Sequence, residues 1–149
     1  MDSQNPIGIM NLDHFEFTSD VKTTPTAKLF STLGFQKTHE NDTSALYQQG
    51  QIRFMIHADP NQESHSRQYF NKHGEGVSKI SFQVQNAQQA LEAAVKRGAV
   101  EVQNIHTQET EQGIIRTAQI KGFGDVLNEF IEKPNATFKK DLQEVTDHS

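Results

Sequence analysis

The chain contains no cysteine, which excludes disulfide frameworks, thiolate nucleophiles and cysteine-ligated zinc. Cations are scarce as well: 14 Lys and Arg stand against 19 Asp and Glu, for a formal net charge of −5. With no concentrated run of Lys and Arg, no surface competes for the phosphates of a nucleic-acid duplex. Long apolar runs are missing, and none approaches the roughly 18 residues that a membrane-spanning helix needs. The first ten residues, MDSQNPIGIM, lack a basic start followed by an apolar core, so no secretory leader is expected. The expected compartment is therefore the cytoplasm, and the sequons at Asn41 and Asn135 read as chance rather than as glycan acceptors.

What is present suffices for one compact domain: 149 residues, 34% of them hydrophobic. Leu12–Thr18 alternates, with Leu12, His14 and Glu16 on one face and Asp13, Phe15 and Phe17 on the other, as a half-buried strand requires. A helix follows, capped by Thr24 and begun by Pro25; its expected apolar stripe is Ala27, Leu29, Phe30 and Leu33, and Gly34 ends it. Strands are expected at 35–38, 44–48 and 51–57, the last two joined by a turn at Gln49-Gly50. The second half repeats this recipe. Residues 79–84 alternate, with Ile80, Phe82 and Val84 on one face. Asn86 then caps the helix AQQALEAAVKR, whose expected stripe is Leu91, Ala94 and Val95 and which Gly98 ends. Strands follow at 100–103, 114–120 and 126–132, the last pair separated by KGFG.

Each half thus reads as strand, helix and three strands, and Phe15 and Phe17 match Ile80 and Phe82 in phase. A doubled unit predicts a pseudo-symmetric α+β fold. The expected architecture is two side-by-side βαβββ units, their curved mixed sheets forming a cup with the helices outside. One domain spans 1–133, with unit one at about 10–58, a connector at 59–77 and unit two at about 78–133. In the polar connector, Tyr69 and Phe70 are the expected anchors of a short helix. Residues 134–149 form a charged tail, read as a solvated and helical linker or docking segment rather than core.

The segments NPIGIMNLDHFEF, LYQQGQIRFMIHADPN, YFNKHGEGVSKISFQV and IKGFG carry a resemblance. The paired units are similar to the vicinal-oxygen-chelate superfamily of glyoxalases, extradiol dioxygenases and bleomycin-binding proteins. More narrowly, residues from about Asn5 to Lys133 resemble the N-terminal half of bacterial 4-hydroxyphenylpyruvate dioxygenase, an enzyme of tyrosine catabolism. That family converts a keto acid to homogentisate with non-haem Fe(II), held by two His and one Glu of its C-terminal half. The resemblance therefore implies no cofactor and no catalytic residue on this chain.

In the superfamily the cup holds the metal, with ligands from the first and last strands of each unit. Alternation places His14 and Lys79 on the cup side of the two first strands, and Arg53, Met55 and His57 on the cup side of the strand at 51–57. Glu129 matches the position that supplies a carboxylate in the family. Lys79 thus occupies the place that His14 holds in the other copy. An iron- or zinc-type ion needs about three imidazole or carboxylate ligands, and a charged ammonium or guanidinium can coordinate nothing. A buried carboxylate is instead neutralised by a cation, so Glu129 is expected to pair with Arg53 or Lys79, with no metal favoured. The competing reading is a metal site of His14 and Glu129, completed by water or by a partner chain. A third lets Arg53 and Lys79 hold a small aromatic or keto-acid anion.

Other constellations are weaker. His57, His65 and His73 are eight apart and lack the i, i+4 spacing of a helical zinc motif. KGFGD suits a tight hairpin and has no phosphate-loop pattern. No serine sits in the strand-to-helix turn of a hydrolase nucleophile. The function expected is that of a dioxygenase-like N-terminal half, non-catalytic alone and acting as a structural partner. The alternatives are a small metalloenzyme working as a homodimer and a metal-free binding protein. The partner is accordingly expected to be a C-terminal-half-like chain or a second copy, with neither nucleic acid nor membrane involved.

Overall fold

A computed structural model describes residues 5–20, 25–134 and 143–144. The elements in chain order are β1 (Ile9–Thr18), α1 (Pro25–Thr32), β2 (Gln36–Glu40), β3 (Ser44–Gln49), β4 (Ile52–His57), α2 (His65–His73) and β5 (Gly76–Val84). They continue with α3 (Ala87–Lys96), β6 (Glu101–Thr110), β7 (Gly113–Lys121), β8 (Leu127–Glu132) and the short β9 (Gln143–Glu144). The fold is α+β and consists of two βαβββ units. Among the described residues, one compact unit contains 14–20, 25–78 and 143–144, and the other contains 5–13 and 79–134. Strand β1 thus contributes its first five residues to one unit and the remainder to the other.

The two units share a topology. In the 14–78 unit the strand order is β1-β4-β3-β2-β9, and in the 79–134 unit it is β6-β7-β8-β5. The first strand of each repeat lies parallel to the last, β1 to β4 and β5 to β8, while the hairpin neighbours are antiparallel. A parallel partner requires a crossover, which α1 with β2 and β3 supplies in one repeat and α3 with β6 and β7 in the other.

The helix-facing sides form two cores of different character. In the 14–78 unit Phe30 of α1 is the hub. Its ring lies 4.8 Å from Phe54, 5.6 Å from Phe35, 5.7 Å from Tyr47 and 6.2 Å from Phe17. Phe15 stacks on Phe54 at 5.0 Å, so β1 presents its aromatic residues to the helix side. The 79–134 core is built from small and branched residues: Ala87, Ala90, Leu91 and Ala94 of α3 lie on Val84, Ala118, Ile120 and Phe130. Alanine lets a helix approach a sheet closely, and Ile7 and Ile9 from the start of the chain fill the flank.

Three expected core residues are exposed. Leu29 lies about 200° around the helix from Ala27, at 100° per residue, and so points away from the sheet. Leu33 follows the last helical residue, in the turn that Gly34 closes at φ 97°. Val95 sits about 40° beyond Leu91 on the side away from Ala87 and Ala94, at the rim of the buried stripe, where it is 43% exposed. Asn86 caps α3 by accepting from the Gln89 N–H at 2.9 Å, and Glu132 accepts from the Ala87 N–H at 2.9 Å. Thr24, the expected cap of α1, lies outside the described residues.

The connector forms α2, capped by Ser64, whose hydroxyl accepts from the Arg67 N–H at 3.1 Å. Its buried anchor is Ser66, whose carbonyl accepts from the Thr18 hydroxyl at 2.9 Å; Tyr69 and Phe70 are only half-buried. The Tyr69 ring lies between those of His65 and His73, tilted to both at centroid distances of 6.3 and 4.7 Å. Within the tail, Gln143–Glu144 pairs antiparallel with β2 as an edge strand rather than a helix, and the rest lies outside the described residues.

Candidate functional site

In the 79–134 unit the face of the sheet away from α3 centres on Glu129. Strand register sets Glu129 between Ser81 on β5 and Gln119 on β7. The carboxylate accepts from Ser81 Oγ at 3.0 Å on Oε1, and from Gln119 Nε2 at 3.1 Å and Lys79 Nζ at 3.2 Å on Oε2. The Lys79 and Glu129 side chains are 9% and 5% exposed, so the ion pair is buried. Sequence reasoning left Arg53 and Lys79 open as the cation beside Glu129. Lys79, two residues before Ser81 on the same face, meets it.

In the 14–78 unit the face away from α1 carries the other candidates. Register places Glu16 beside Met55 and Thr18 beside His57, with Leu46 and Ser44 on the far side of those two residues. The same register continued one residue back sets His14 beside Arg53, which pairs with Gln48. His14, Glu16, Thr18, Ser44, Leu46 and Met55 are all buried. His57 shares a hydrogen bond with the Ser44 hydroxyl at 2.5 Å through Nδ1, and its Nε2 lies 3.7 Å from Asp59. Ser44, His57 and Asp59 thus have the composition of a hydrolase relay. Ser44, however, sits buried within a strand rather than on an exposed strand-to-helix turn, so the contact reads as structural.

Ser81, Gln119, Glu16 and Ser44 were absent from the sequence-level candidates. Period-2 alternation from Lys79 and His14 could have supplied Ser81 and Glu16. Gln119 and Ser44 depend on cross-strand register, which one sequence does not display.

The donor set does not suit a metal. Among the described residues no three His, Asp or Glu side chains come together in a group that could hold an ion. Glu129 is hydrogen-bonded by a cation and two neutral donors, and an incoming ion would have to displace the Lys79 ammonium from it.

The paired βαβββ units define the vicinal-oxygen-chelate fold. A mutant 4-hydroxymandelate synthase from Streptomyces coelicolor superposes with a TM-score of 0.77 over 93% of this chain and 43% of its own, at 16% identity. Methylmalonyl-CoA epimerase from the same organism gives 0.70 over 86% of this chain and 100% of its own, at 15% identity. At sequence level, a family model described as hydroxyphenylpyruvate dioxygenase, N-terminal, matches residues 3–142. The chain belongs to that family of hydroxyphenylpyruvate dioxygenase N-terminal domains. Among curated relatives, hemolysin VllY of Vibrio vulnificus is 31% identical over 89% of this chain and 37% of its own length. The 4-hydroxyphenylpyruvate dioxygenase of a Pseudomonas species is 32% identical over 81% of this chain and 32% of its own length. The chain spans about a third of the length of the curated relatives it matches.

Proposed function

We propose that this chain acts as the non-chelating N-terminal domain of a 4-hydroxyphenylpyruvate dioxygenase-like protein of cytoplasmic tyrosine breakdown. In that role it supports an iron-bearing domain of the same architecture, on the same polypeptide or another, and oxidises no keto acid by itself. The observation that carries the reading is Glu129, whose buried carboxylate is occupied by Lys79, Ser81 and Gln119. A buried carboxylate held by an ammonium and two neutral donors acts as a structural element. Breaking it exposes an uncompensated charge, whereas a ligand position would have to release its partners easily.

The test is metal analysis of the purified 149-residue chain after anaerobic incubation with iron(II) or zinc(II), alongside assay of homogentisate formation. Metal well below one ion per chain is expected, with no product until a C-terminal iron-bearing half is supplied. About one ion per chain, lost in His14→Ala or Glu129→Ala, overturns this reading in favour of an independent metalloenzyme.

A further inference from the structure

Strand β6 is the outer strand of the 79–134 sheet, and among the described residues no strand pairs with its free side. It is ten residues long, and such an edge presents a row of backbone donors and acceptors to any extended chain. Natural edges are commonly blunted by charged side chains, Pro or bulges; β6 has no Lys or Pro, and its protection is confined to its glutamates and to the irregular stretch before His106, so that any partner strand must be basic. Its register is irregular between Glu101 and His106, and regular against β7 from His106 to Thr110. The charges along 101–112 are of one sign: Glu101, Glu109 and Glu111, with no Lys or Arg.

A pocket of about 320 Å³ opens beside the first residues of this edge, lined by Leu91, Glu92 and Val95 of α3 and by Glu101 and Asn104 of β6, among others. Its carboxylates are held in place: Glu92 accepts from Gln88 at 2.9 Å, and Glu101 accepts from Asn104 at 3.3 and 3.4 Å. Val95, displaced from the core stripe, supplies apolar wall. Lys96 also lines the pocket, so two carboxylates outweigh one ammonium there. An apolar wall beside paired carboxylates suits a long cationic side chain, which packs its methylenes along the wall and leaves its charged head at the rim.

We infer that the β6 edge and the α3–β6 pocket together form a docking site for an extended basic peptide segment. The segment would add to the sheet as a further strand and place a Lys or Arg side chain against Leu91 and Val95, with its charge at Glu92 and Glu101. Charge decides between this occupant and a second copy of the chain. Two β6 edges paired antiparallel across a two-fold axis would bring Glu101 of one copy towards Glu109 of the other with no Lys or Arg in either strand, whereas a basic strand is complementary to both carboxylates. The site lies away from the Glu129 cluster and stands independently of the dioxygenase-like role.

The probe is a fluorescein-labelled peptide of about ten residues alternating Lys with Val and Thr, titrated by anisotropy at about 0.15 M salt. A control peptide of equal charge carries Pro at alternate positions and so cannot pair with a strand edge. The expected result is binding at least about tenfold tighter for the pairing peptide than for the control, with amide exchange slowed along 101–110. Glu101→Lys with Glu109→Lys, two exposed side chains whose reversal leaves the core untouched, should weaken that binding by at least about tenfold, and Val95→Lys, which sets a cation against the apolar wall, should do likewise. Equal affinity for both peptides, or unchanged binding in the charge-reversed variant, overturns the inference. So does concentration-dependent dimerisation of the unliganded chain that the same reversal abolishes.

Discussion

Glu129 lies between two in-register neighbours and one cation two residues along the same face, and the energetics of this single residue can be bounded. An exposed ion pair contributes about 0–1 kcal/mol, but at 9% and 5% exposure Lys79 and Glu129 belong to the buried regime. There the loss of one partner is costly because the other charge stays behind without compensation. Lys79→Met should therefore destabilise the chain by about 3–5 kcal/mol in urea unfolding, whereas Lys79→Met combined with Glu129→Leu should recover most of that loss. Ser81→Ala removes one neutral donor from the same carboxylate and should cost about 1–2 kcal/mol. A double-mutant cycle between Lys79 and Glu129 giving no coupling would show that the pair does not hold this face together. At this scale the sequence was half legible. Alternation says which way Lys79 and Arg53 point and the resemblance singles out Glu129, but that Lys79 meets it depends on which strands become neighbours.

At the scale of elements, helix α3 shows how local chemistry and packing divide the work. Its start is doubly satisfied, by the Asn86 side chain at the Gln89 N–H and by Glu132 of β8 at the Ala87 N–H. Asn86→Ala should lower stability by about 1 kcal/mol, read as a shifted urea midpoint at unchanged slope, and Asn86→Asp should retain most of it. The Asn86 cap was readable from sequence because it is local; the Glu132 contact was not, since it joins residues 45 apart. The stripes were only partly readable. Ala27, Phe30, Leu91 and Ala94 are buried, but Leu29 and Val95 are large apolar residues whose angular position takes them out of the core, and Leu33 lies past the end of its helix. Hydrophobicity alone admits such residues to a stripe; the helical angle removes them. Val95 then becomes available to the pocket beside β6.

At the scale of the whole molecule, the repeat visible in the sequence is the repeat of the fold, since both halves give the same mixture of one parallel and two antiparallel pairings. The unit boundaries do not follow the repeat. Residues 5–13 belong with 79–134, where Ile7 and Ile9 pack on the α3 core and Asp13 pairs with Lys133 at 2.5 Å, both side chains almost wholly buried. Periodicity could not show this, because in the sequence Leu12–Thr18 reads as a single alternating strand that runs across the boundary. The arrangement makes a specific demand on fragments. Residues 79–149 expressed alone lack the two isoleucines and leave Lys133 without Asp13, so they should give poorly dispersed amide spectra and no cooperative thermal transition. A peptide of residues 5–13 added in trans should restore dispersion. In the full chain Ile9→Ala should cost about 1–2 kcal/mol, less than the truncation of a fully buried isoleucine because Ile9 is only partly covered. A fragment 79–149 that melts cooperatively without the peptide would mean that the first strand merely decorates this unit instead of completing its core.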